Sequence, residues 1–242
     1  MTAAVGKRHF KAMSRHWKSA AWVAAIAVLG WRASACGSDS GGGPAPDFTV
    51  VVDTPAATTL GTQVLVHVHL TSIGDSGTVA LTVTGADTTW TVTPPVGPVT
   101  LSLNGQTTAN VTIAIPTNGG PAPTGRAISI GATIGSRQHA AATAITVANE
   151  FVIPIVRGSA AHWPYPNRDS LFVNAGTVVT FRNDDTLSHI IHSNGGVGIA
   201  HQSIGVGTIP GGTYSQTAAG PSGSTLITCH SHPADTLRIV VP

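Results

Sequence analysis

Residues 228–242 read "TCHSHPADTLRIVVP", with a cysteine, two histidines and an aspartate in seven consecutive positions, then an apolar run. The preceding "STLITCH" and the closing "TLRIVVP" both have the β-branched, apolar character of strands. Cys229 therefore stands at the end of one strand, with His230, His232 and Asp235 in the short connection to the next. Cysteine is otherwise almost unused, since the chain has two, Cys36 and Cys229. Placing one of them among histidines calls for a chemical reason.

The rest of the composition supports β-structure. Charged residues make up 9% of the 242, and 28 glycines and 16 prolines punctuate runs of Val, Thr, Ala and Ile. The formal charge of +2 hides an asymmetry. Six of the twelve basic residues (Lys7, Arg8, Lys11, Arg15, Lys18 and Arg32) lie in the first 32 positions, which hold no acid. Beyond them, six arginines face ten acids, four net negative charges with neutral histidines. That balance excludes a nucleic-acid footprint.

The basic start is followed by "SAAWVAAIAVLGW", too short for a stable membrane span, and by Ala33-Ser34-Ala35. Residues 1–35 are expected to be a signal peptide and 36–46 a Gly/Ser/Pro tether. Cys36 resembles the lipidated cysteine of bacterial lipoproteins, which implies a cell-envelope protein whose only membrane contact is an N-terminal lipid. Without that lipid the protein is expected to be secreted.

Residues 47–149 alternate apolar and polar positions between turn residues, from "DFTVVVD" through "TQVLVHVHLTS" to "HAAATAITVA". In "VLVHVHL", Val64, Val66, Val68 and Leu70 are expected to face a core, with Leu65, His67 and His69 opposite. His67 and His69 share a face and are read as surface residues. This half resembles bacterial Ig-like modules through "DFTVVV", "LTSIGDSGTVALTVTG" and "SLNGQTTANVTIAIP", which implies an antiparallel sandwich serving as a spacer or adhesion module.

Residues 150–242 continue in short strands but hold six of the nine histidines beyond the leader. "AHWPYPNRDS" within them is a proline-stiffened loop whose Trp163 and Tyr165 are expected to pack at a domain end. If Cys36 is lipidated, Cys229 has no disulfide partner, and a free thiol in an oxidising compartment needs burial or a metal. One thiolate and two imidazoles form a donor set that suits electron-transfer copper. Cys229 and His232 supply two members, and His189 in "VVTFRNDDTLSHIIHSN" is the best third. By period-two alternation Leu187, His189 and Ile191 point inward and His192 outward.

The second half is similar to the cupredoxins, the blue-copper fold of plastocyanin, amicyanin and azurin. The resemblance rests on Gly176, Val179, Phe181, Asn183 and Asp185 leading to His189 in "LFVNAGTVVTFRNDDTLSHII", then on "GGTYSQTAA" and on Cys229-x-x-His232-x-x-Asp235. It implies an all-β chain, an Ig-like β-sandwich followed by a cupredoxin-like Greek-key β-sandwich. It also implies one copper ion with His189, Cys229 and His232 as equatorial ligands. The sequence departs at the axial position, where relatives carry Met and this chain has Asp235. Three alternatives stay open: Asp235 is an oxygen ligand, it turns away to cap the next turn, or the site holds zinc instead. His192, His201 and His230 are read as solvent-facing, or as a secondary metal site.

The leading expectation is a single-electron carrier working with a redox partner protein. The alternatives are copper capture or delivery to a copper donor or acceptor, and a structural envelope module. No nucleophile and base pair marks a hydrolase, so an enzyme is not expected.

Overall fold

The strand predicted around "VLVHVHL" shows how the chain builds its layers. In a computed structural model that describes residues 45–156, 170–203, 207–230 and 232–242, Val64, Val66, Val68 and Leu70 are buried and Leu65 is 47% exposed. All the described residues belong to one unit spanning 43–242. The leader, Cys36, Trp163 and Tyr165 lie outside the described residues, as do the side chains of Ala234 and Asp235.

In chain order the strands are β1 (Asp47–Val52), β2 (Thr58–Leu60), β3 (Gln63–Ile73), β4 (Gly77–Thr84), β5 (Thr91–Thr93), β6 (Val99–Leu101), β7 (Gln106–Ala114) and β8 (Ala122–Ile134). They continue as β9 (Arg137–Ile155), β10 (Leu171–Phe172), β11 (Val178–Asn183), β12 (Ile191–Ser193), β13 (Thr213–Thr217), β14 (Gly223–Cys229) and β15 (His232–Val241). The protein is all-β: the one helical piece among the described residues is a 3-10 turn at Gly196–Gly198. No helix of these residues is long and apolar enough to cross a membrane.

Three sheets form, ordered β1-β3-β7-β5, β10-β15-β14-β12 and β13-β11-β9-β8-β4-β6, with β2 also on β9. Pairing is mostly antiparallel, but β2–β9, β9–β11 and β10–β15 are parallel. Alternate residues of these strands enter one continuous buried cluster that runs from Phe48 to Val241. Fully buried Phe, Leu and Ile side chains such as Phe48, Leu70, Ile130 and Phe181 each contribute about 1.5–3 kcal/mol.

The long strand β9 differs from the sequence expectation. Residues 47–149 and 150–242 are expected to hold separate sets of short strands, yet Arg137–Ile155 form one strand of 19 residues across that division. Neither glycine nor proline occurs between Arg137 and Ile153, so nothing turns the chain there. The strand instead changes partner. Its first part pairs with β8 up to Val147, and Glu150 to Ile155 pair with β11. Position 149/150, the expected domain boundary, lies inside it.

Asn149 ties this crossover to the next turn by donating from Nδ2 to the Gly176 carbonyl at 3.0 Å. Gly176 sits at φ 88°, a conformation a side chain would strain, and closes the turn in which Thr177 N donates to Asn174 O. Thr117 Oγ1 donates to Phe172 O at 2.6 Å, and Asn174 Nδ2 donates to Asn118 O at 3.0 Å. These bonds stitch the segments before and after β9 together.

Candidate metal centre

The ligand loop is built by a register fault. β14 and β15 run as a regular antiparallel ladder until Thr228 meets Thr236, and then Cys229 meets His232. Residues 233–235 are extra on one strand, which bends there as bulged strands do. Pro233 lacks the N–H that would continue the ladder. The bulge sets His232, half-buried, directly across from the buried Cys229.

His189 reaches the same thiol from another direction. It forms an isolated antiparallel bridge with Thr208, with N–H to O bonds in both directions at 3.1 and 2.7 Å. Gly207 permits that approach, since a Cβ there would lie 3.0 Å from the His189 carbonyl oxygen. Behind the bridge, the fully buried Asn183 ties the turn that follows β11 to the segment carrying Thr208. Its Nδ2 donates to Leu187 O and Thr208 O, both at 2.7 Å, and its Oδ1 accepts from Asp185 N at 2.9 Å.

The result is a convergent set. His189 Nδ1 lies 3.3 Å and His232 Nδ1 3.7 Å from Cys229 Sγ, and the two rings are 5.5 Å apart. One ligand atom from each residue lies within 4.8 Å of the others, so the trio could hold a metal ion. A thiolate at about 2.3 Å and an imidazole at about 2.0–2.1 Å from one cation are separated by about 3.6–3.8 Å at tetrahedral to trigonal angles. The observed spacings need only a few tenths of an ångström of adjustment.

Asp185 fixes the direction of His189. Its Oδ2 is 3.0 Å from His189 Nε2, and both side chains are almost wholly buried. Burial pushes the Asp185 carboxyl up, but hydrogen bonds from His189 and Thr186 outweigh it and hold the group below its usual value. The anionic carboxylate can only accept, so Nε2 carries the proton and Nδ1 turns its lone pair to the thiol. Such a carboxylate–histidine pair orients metal-bound imidazoles. In the sequence Asp185 is marked only by the resemblance; its contact with His189 comes from the bend at 185–187, which no regular spacing encodes.

Asp235 occupies a β15 position, with its side chain outside the described residues. Leu187 departs from its expected inward place and is 60% exposed, because residues 185–187 form a bend and strand alternation begins only at His189. His192 points outward as expected, and His230 is exposed while His201 is half-buried. The ligand atoms of these three form a second group within 4.8 Å of one another. His67 and His69 join no such group among the described residues. His67 Nδ1 bonds Asn110 Oδ1 at 2.8 Å, and His69 bonds Thr108 and Asp53, both at 3.0 Å.

No protein-family model matches the chain, and no curated protein matches it. Solved structures that resemble it include amicyanins. A methionine-to-alanine mutant in the Cu(I) form is 24% identical over 39% of this chain and 84% of its own, with a TM-score of 0.32. A reduced tryptophan-to-tyrosine mutant is 24% identical over 39% and 83%, with a TM-score of 0.31. An oxidised methionine-to-leucine mutant is 24% identical over 38% and 80%, with a TM-score of 0.30.

Proposed function

We propose that this chain is an exported copper protein that carries single electrons, with His189, Cys229 and His232 holding one ion. The observation that supports it most is the convergence of two imidazole Nδ1 atoms on one buried thiol sulfur. When bound there, copper supplies a one-electron couple. A mixed thiolate and imidazole donor set suits it, and the buried sulfur is shielded from water and competing thiols. Asn183 and Asp185 hold the His189 side rigid, which keeps ligand rearrangement between oxidation states small. Half-buried His232 beside exposed Pro233 is the edge at which a redox partner would dock. Asp235 in place of a thioether would lower the reduction potential if its carboxylate ligates, since the axial group is a tuning lever. A lipid on Cys36 and the 36–46 tether would keep the protein at the cell envelope.

A second reading is copper capture or delivery without turnover, favoured by the three further histidines around the ligand loop. Voltammetry of the copper-loaded protein separates the two. A reversible one-electron wave is expected of a carrier; tight copper binding with no reversible wave would leave capture as the function. Zinc in the same ligands would give no wave under any loading.

A further inference from the structure

We infer that His192, His201 and His230 form a second metal site, open to solvent and built for a borderline divalent cation such as Zn(II) or Cu(II). This goes beyond the proposed function and does not rest on it. Three residues from separate segments, β12, the connection after it and the end of β14, place one imidazole nitrogen each within 4.8 Å of the others. His201 Nε2 and His230 Nε2 are 3.1 Å apart. Two imidazole nitrogens on one zinc stand about 3.3 Å apart at tetrahedral angles, from metal–nitrogen distances of about 2.0–2.1 Å. The three rings meet edge to face, with centroids 4.6, 5.0 and 5.2 Å apart.

The backbone fixes each member. His192 pairs with Thr228 in the β12–β14 ladder, and His230 N extends that ladder by donating to Ile190 O at 3.0 Å. His201 is held by its neighbour, since Gln202 N donates to Ile191 O and Gln202 Oε1 accepts from Ile191 N, both at 3.0 Å. Tyr214 Oη donates to Ala200 O at 2.9 Å on the other side. The tautomer of His201 is also set. Its Nδ1 donates to the Gln202 carbonyl, so the lone pair lies on Nε2, the atom facing His230. A backbone carbonyl on one ring nitrogen that leaves the other as ligand is the usual outer support of a metal-bound histidine.

Three neutral imidazoles leave a fourth position for water or a small anion, the pattern of an open rather than a closed site. The two centres share their scaffold. Cys229 and His230 are consecutive, and His189 and His192 are three residues apart, so one peptide unit would join the inner ligand set to the outer one.

Zinc stoichiometry of the whole protein after equilibrium dialysis tests the site, with circular dichroism as the check on folding. Wild type is expected to bind about two Zn(II) per chain, one per ligand set. His192→Ala and His230→Ala, each at an exposed position, should each lose one equivalent and keep the Cu(II)–thiolate absorption of the inner centre. In a Cys229→Ser/His232→Ala background one equivalent should remain and vanish on adding His192→Ala. Unchanged stoichiometry in folded His192→Ala and His230→Ala would overturn the proposal, as would complete loss of zinc in the folded inner-site variant. Failure of the carrier reading looks different: the copper-loaded protein would show no reversible one-electron wave, or no thiolate absorption at all, while the outer zinc remained.

Discussion

The Asp185 carboxylate and the His189 imidazole meet at 3.0 Å inside the protein, and this one contact decides which ring nitrogen faces Cys229. Removing it frees the ring to rotate and to exchange tautomers. Asp185→Ala should weaken metal binding at the Cys229 centre by about 10- to 100-fold, the usual effect of losing an orienting carboxylate. Competition titration against a chelator of known affinity measures this. Unchanged affinity would mean that packing alone orients His189.

Asn183 links the end of β11 to the His189 bridge through three buried or part-buried hydrogen bonds. Asn183→Ala takes the partner from the Leu187 carbonyl and the Asp185 amide, and removes one of two donors from the Thr208 carbonyl, which keeps His189 N. At about 0.5–1.5 kcal/mol per lost bond, with an added penalty for unsatisfied buried groups, the variant should lose about 2–4 kcal/mol of stability. Urea unfolding of the metal-free protein reads it. A loss below about 1 kcal/mol would show that water satisfies those groups instead.

Away from the metal, Arg137 binds Asp75 with both arms, Nε to Oδ2 at 2.6 Å and Nη2 to Oδ1 at 2.9 Å. That guanidinium holds the Asp75 carboxyl below its ordinary value, against the opposing effect of desolvation. The unfolded chain therefore takes up the proton first as pH falls. The stabilisation is complete above the unfolded value of about 3.9 and disappears as pH drops through the lower folded value. The stability gap between wild type and Asp75→Asn should thus be widest at neutral pH and close below about pH 4. Urea midpoints across that range test it, and a gap independent of pH would contradict it.

The parts of the structure readable in the sequence are those governed by local period. Alternation in β3 predicted which of its residues are buried, because one strand face must meet the core. Cys229, His189 and His232 were singled out by chemistry, and the structure brings them together. Features governed by contact across the sheets were hidden. The absence of Gly and Pro from 137–153 was the one trace of β9's continuity, while its change of partner from β8 to β11 depends on which strands flank it at each end. Leu187 broke the alternation because Asn183 captures its carbonyl from four residues away. His192, His201 and His230 stood in the sequence as solvent-facing residues or a secondary metal site, and only the return of the chain across β12, where Gln202 N donates to Ile191 O, brings their ligand atoms within 4.8 Å.

The central claim is that Cys229 and two histidines bind one copper ion, and an optical titration of the protein with Cu(II) addresses it most directly. An intense visible sulfur-to-copper charge-transfer band is expected to saturate at about one equivalent and to vanish in Cys229→Ser. Its position would also report Asp235, with a shift to shorter wavelength for a bound carboxylate oxygen. A weak imidazole-type spectrum that Cys229→Ser leaves unchanged would contradict the account.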